Sequence, residues 1–271
     1  MFLLWLRVAA VLYAIASVAA LPAVLYGRPK WRRVCVPAAI AALFFHFVSI
    51  IEMLSAAHHW VPSGMHEFNS LLALLICAAF LLIALLYRTV SFGIFALPLA
   101  LLLVLEPALG LGHGSFQSPV VRTGWLFLHI SALLAAYAAL FFSLLANLLY
   151  LVQERRLKQK SRIVFLTWLP PLETLDRIAS STLLIGFPFM TIGLLAGSVI
   201  AQQVVGAAYF LDPKVLLSFG MWALYLMMLF VRRSTGLRGR RAVYLSSFVF
   251  LVVLSVWAAN QFSSVHRFTA P

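Results

Sequence analysis

The side chains with most scope for chemistry are seven histidines, and their placement is uneven. His58, His59, His66, His113 and His266 fall in short polar breaks or in the tail, and His129 sits about a turn and a half inside the start of an apolar run. Imidazole is the commonest metal ligand in proteins, and a haem iron takes one or two of them axially. The best-placed pair is His129 with His266, one near the end of an apolar run and the other just past the end of another. They could face each other across a site at a membrane surface; a plainer reading of each alone is an imidazole at home half in water. His46 lies instead near the middle of an apolar run. An ionisable group there is costly and carries a functional hypothesis by default: an internal axial ligand, or a hydrogen-bond donor to a neighbouring helix. Glu52 follows six residues later, which turns it well away from His46 on an ideal helix, so the two are no dyad.

Acids are scarce, seven in all, and one of them stands in GAAYFLDPK, Gly206 to Lys214. This polar break between two apolar runs carries Asp212, which could fix a loop or meet a cationic partner, beside Tyr209 and Phe210. Those rings, with Trp125, Trp60 and Phe262, would gather near one interface. Flat rings can sandwich a porphyrin, but aromatic belts are ordinary in membrane proteins. The sequence holds no zinc-protease helix, nucleophile elbow or phosphate loop. Cys35 and Cys77, far apart and outside any CxxC pair, read as free thiols.

What must position these residues is a membrane bundle. Of 271 residues 64% are apolar and 10% charged, against roughly 45–50% and 25% in soluble domains. The apolar runs predict an all-α, polytopic bundle in a single domain, 1–271, with eight transmembrane helices over approximately 2–26, 34–57, 67–87, 90–110, 124–151, 181–203, 214–231 and 242–262. Pro170 and Pro171 break the segment 163–180, read as an interfacial stretch and a short amphipathic surface helix. The first run lacks a cleavage pattern and reads as a retained helix. Alternate breaks hold 16 of the 20 basic residues, which puts those breaks in the cytoplasm and both termini outside. The basic excess therefore reports topology, and no nucleic-acid partner is implied. Six of the seven histidines then gather on the outer face.

LPPLETLDRIASSTLLIGFPFMTIGLLAG, Leu169 to Gly197, then Gly206, Asp212, Pro213 and Lys214, Trp222 and Tyr225, and Gly236 to Leu254, resemble the cytochrome c assembly family of haem-handling membrane proteins of the CcsA and CcmC kind. His46 and FNSLLALL, Phe68 to Leu75, lean toward its HemX/YpjD branch. The resemblance implies haem, taken here as haem b, held at the outer face of a bacterial cytoplasmic (inner) membrane by two histidines that fall on His129 and His266. It also implies a partner membrane protein of cytochrome c biogenesis, an apocytochrome c client, and a role as haem chaperone or synthase subunit rather than stand-alone enzyme. The family's tryptophan-rich loop is degenerate: Val205, Tyr209 and Leu211 stand at its tryptophan positions, and Phe230 replaces a further histidine. Two other readings use the same residues: an accessory or scaffold subunit keeping the fold without haem, and a small-solute or ion transporter with His46 and Glu52 along its path.

Overall fold

The computed structural model describes residues 1–56, 65–110, 124–158, 169–205, 211–236 and 239–258. Those residues form eight helices and no strand: α1 Phe2–Leu25, α2 Pro29–Ala56, α3 Met65–Leu86, α4 Gly93–Leu109, α5 Gly124–Lys158, α6 Leu172–Val205, α7 Pro213–Thr235 and α8 Arg240–Ala258. A helix stands at every expected position. Six of them, α1, α2, α3, α5, α6 and α7, are long and apolar enough to cross a membrane. At 17 residues α4 is shorter, roughly 26 Å against a hydrocarbon layer of about 30 Å. The chain is a multi-pass helical membrane protein.

α2, α5, α6 and α7 overrun the apolar runs, for a local reason. Arg, Lys, Glu and Gln are good helix formers, so a helix need not stop where apolar residues do. α5 runs on through Arg155, Arg156 and Lys158, whose charges suit its carbonyl end. α2 starts at Pro29, a residue pre-set for a first helical position, so Lys30, Arg32 and Arg33 lie on its first turns. Residues 172–180, expected as a separate surface helix, are the opening turns of α6, which continues unbroken through Pro188 to Val205; residues 163–168 lie outside the described residues.

The single membrane domain read from the sequence is described as two compact units, Met1–Ser115 with Val152–Leu175, and Phe116–Leu151 with Asp176–Pro271. In the first, α1 packs antiparallel on α2 through small side chains: Ala9, Ala16, Ala19, Ala20, Ala39 and Ala42 are all buried. Without a hydrophobic drive between helices in lipid, such residues gain contact by letting backbones approach. Leu4, Val11, Ile15 and Val18, about one turn or two apart on α1, remain exposed as a lipid-facing stripe. The turn after α4 needs Gly110, whose φ of 72° lets its N–H reach the carbonyls of Glu106 and Pro107.

The second unit is built around α6. Ser143 Oγ donates to the Ala179 carbonyl at 2.9 Å, Tyr225 Oη to that of Leu183 at 2.7 Å, and Trp222 Nε1 to Thr191 Oγ1 at 2.9 Å. These contacts set α5 and α7 antiparallel to α6. Asn147 Nδ2 ties α5 to α8 through Ser246 Oγ at 2.8 Å. Ala136, Leu140, Leu183, Met190, Met221, Tyr225, Met228 and Val249 fill the space between.

Candidate functional site

His129 lies on the second turn of α5, half-buried, with its ring against α6. Its Nδ1 is 2.6 Å from the carbonyl oxygen of Gly193. A carbonyl only accepts, so Nδ1 carries the proton and Nε2 carries the lone pair that would ligate a metal. One turn further along α6 is Gly197, where a Cβ would fall into the imidazole, 2.5 Å from Nδ1. One glycine thus sets the tautomer and another leaves room for the ring.

Trp125, one turn before His129 on α5, is exposed, a position from which an indole can lie over a flat ligand's edge. Asp212 is buried and caps α7: its Oδ1 accepts from the Val215 N–H at 3.4 Å and its carbonyl from Leu216 N–H at 3.0 Å. With Pro213 as the first helical residue, this is a local start signal in which the carboxylate also meets the positive end of the helix dipole. His266, Tyr209 and Phe210 lie outside the described residues.

His46 belongs to the first unit and is fully buried. Its Nδ1 is 3.0 Å from Tyr13 Oη and its Nε2 2.8 Å from Ser70 Oγ. A neutral imidazole offers one donor and one acceptor, and two hydroxyls can match either tautomer. Of the two roles open to His46, this geometry is that of a hydrogen-bonded link joining α1, α2 and α3; an iron at either nitrogen would have to displace a hydroxyl. Glu52, its neighbour in sequence, accepts from Trp5 Nε1 at 3.1 Å. Nearby, a cavity of about 200 Å³ is lined by Ser49, Met53, His66, Glu67 and Ser70 among others. Neither His46 nor Glu52 is in its lining, so it is not the path a transporter would run between them.

No three metal-ligating side chains converge among the described residues. A porphyrin brings its own four nitrogens and asks the protein only for imidazoles. The His129 seat suits that demand.

Across residues 39–258 the chain matches the family model described as cytochrome C assembly protein. The chain belongs to the cytochrome c assembly family. Members similar to it include proteins named cytochrome c biogenesis protein CcsA. That of Prochlorococcus marinus (strain MIT 9215) is 27% identical over 252 residues, covering 83% of this chain and 82% of the relative. The Guillardia theta protein is 29% identical over 219 residues, covering 72% and 73%. As a cytochrome c assembly protein, the chain has a matched region that takes in both His46 and His129.

Reading the sequence singled out His129 but not the residues that hold it. Gly193 and Gly197 form a G-x-x-x-G pattern within an apolar helix, a signal for close helix approach that could have marked this face of α6. Nothing comparable marks Tyr13 and Ser70, whose link to His46 depends on the register of three helices.

Proposed function

We propose that this protein holds haem b at the outer face of the bacterial cytoplasmic membrane and presents it for assembly of c-type cytochromes. His129 and His266 would hold the haem iron, Trp125, Tyr209 and Phe210 would contact the porphyrin, and Asp212 would fix the loop before α7. The observation carrying this reading is the 2.6 Å bond from His129 Nδ1–H to the Gly193 carbonyl. Metal-binding histidines characteristically donate their other ring nitrogen in this way, which fixes the tautomer and raises the basicity of the ligating one. Bound haem would supply a redox-active iron whose potential the ligating imidazoles tune; the chain's own part is to hold Nε2 in a fixed direction. The client is an apocytochrome c carrying the CxxCH attachment motif, which this chain lacks, and a partner membrane protein of the same pathway completes the complex.

Absorption spectroscopy of the purified, haem-supplemented protein tests this. The expected result is a Soret band with low-spin features that is lost or shifted in His129→Ala and His266→Ala. Absence of a Soret band, or one that survives removal of both histidines unchanged, overturns it.

A scaffold role has one observation of its own. Phe230, where the family resemblance places a further histidine, is 71% exposed on α7, a ring offered to lipid or to a partner helix. On that reading both histidine variants keep partner association and activity, while Phe230→Ser weakens association.

A further inference from the structure

We propose that Gly197 is the positioning residue of the haem site: the missing side chain there creates the seat that aims His129, a role resting on the haem reading above. The imidazole of His129 occupies the space over Gly197 that any other residue's Cβ would fill, with Nδ1 2.5 Å from that Cβ position and Nε2 3.3 Å from it. Contacts under 3.0 Å force a shift, and here the two sides differ in what can give. Gly197 is helical backbone packed antiparallel to α5, so the ring is the part that moves. Moving it breaks the bond to the Gly193 carbonyl, at 2.6 Å already short, and with it the tautomer control.

The neighbouring glycines of α6 separate this role from packing. A Cβ on Gly193 would meet Leu133 Cδ2 at 2.7 Å and Cγ at 2.8 Å, with the Leu133 backbone N at 3.2 Å. A Cβ on Gly186 would crowd Tyr225 Oη and stand 2.9 Å from Ala139 Cβ. Neither clash involves an imidazole atom. Gly186→Ala therefore disturbs the packing of α6 without reaching the ligand and serves as the control, whereas Gly193, whose carbonyl holds His129, does not.

The test compares wild type with Gly197→Ala and Gly186→Ala, each purified as the full chain. In haem-loaded protein, Gly197→Ala is expected to weaken haem binding roughly 10–100-fold, the usual scale when a metal ligand loses its orienting partner, and to convert the low-spin spectrum toward a high-spin form that added imidazole restores. Gly186→Ala keeps the wild-type spectrum. Without haem, carbethoxylation by diethyl pyrocarbonate, mapped to His129 by peptide mass spectrometry, is expected to rise several-fold in Gly197→Ala alone. A haem spectrum independent of His129 overturns the parent reading. A spectrum that depends on His129 but is unchanged in Gly197→Ala overturns this inference and spares the parent, as does an equal loss in both glycine variants without imidazole rescue. Should Gly197→Ala fail to fold, Gly197→Ala paired with His129→Gly restores the space, and recovery of folded protein that binds haem only with added imidazole supports the inference; no such recovery overturns it.

Discussion

At the scale of single residues, the two histidines that drew attention have opposite surroundings. His46 is enclosed, both nitrogens engaged by hydroxyls from other helices, whereas His129 is bonded through Nδ1 to a backbone carbonyl and stands half-buried. The difference predicts different variants to be costly. Tyr13→Phe removes one hydrogen bond within the membrane, where such bonds contribute about 0.6–2 kcal/mol. His46→Ala orphans two hydroxyls and leaves a void, and is expected to cost about 2–5 kcal/mol. Unfolding of the purified protein in mixed detergent micelles would rank them, and equal losses would mean that the ring, not its hydrogen bonds, matters least. The sequence identified His46 as noteworthy because an ionisable residue in an apolar run is visible in one dimension. Its partners were not visible, since Tyr13 and Ser70 approach it from helices 33 and 24 residues away.

Helix ends carry the next set of expectations. Asp212 opens α7, so Asp212→Ala should cost about 1 kcal/mol, while Asp212→Asn, which can also cap, should lose only a few tenths. A cationic partner would respond the other way, with Asn as damaging as Ala in a binding assay. Between α6 and α7, Arg232 Nη2 donates to Asp176 at 2.6 Å to the carboxylate and 3.1 Å to the carbonyl, and both side chains are largely buried. Breaking such a pair from one side strands the other charge, at about 3–5 kcal/mol, whereas replacing both with apolar residues is close to neutral. Arg232→Met, Asp176→Leu and the double variant, compared by thermal unfolding, should show that pattern. The eight helices were legible because length and apolarity are local properties. Their ends were less so: Lys30, Arg32 and Arg33 look like a break, yet a helix begins beneath them, because basic residues stop a membrane span without stopping a helix.

For the molecule as a whole, orientation rests on the distribution of basic residues, and the expected arrangement has both termini outside. Reporter fusions at either end should be active only as external reporters. The two thiols offer an internal standard for such labelling: Cys35 and Cys77 are free and fully buried, so neither is expected to react with a maleimide in the folded protein, and both should react after denaturation. Labelling of either in the native state would show that the first unit opens. The contact between α5 and α6 was the part of the molecule least evident in advance, although its elements were plain. Whether Gly193 and Gly197 face α5 depends on how the two helices are phased, and only then does His129 acquire a carbonyl to bond and a gap to occupy.

That gap has a bearing on descent. A seat formed by a missing methyl group is closed by a single base change in one glycine codon, with no alteration to any loop or histidine. On the haem reading, a relative with a side chain there could keep both histidines and still fail to aim the ligand. On the same reading, family members with a side chain at the position of Gly197 are expected to bind haem more weakly than those with glycine, whatever their loops contain.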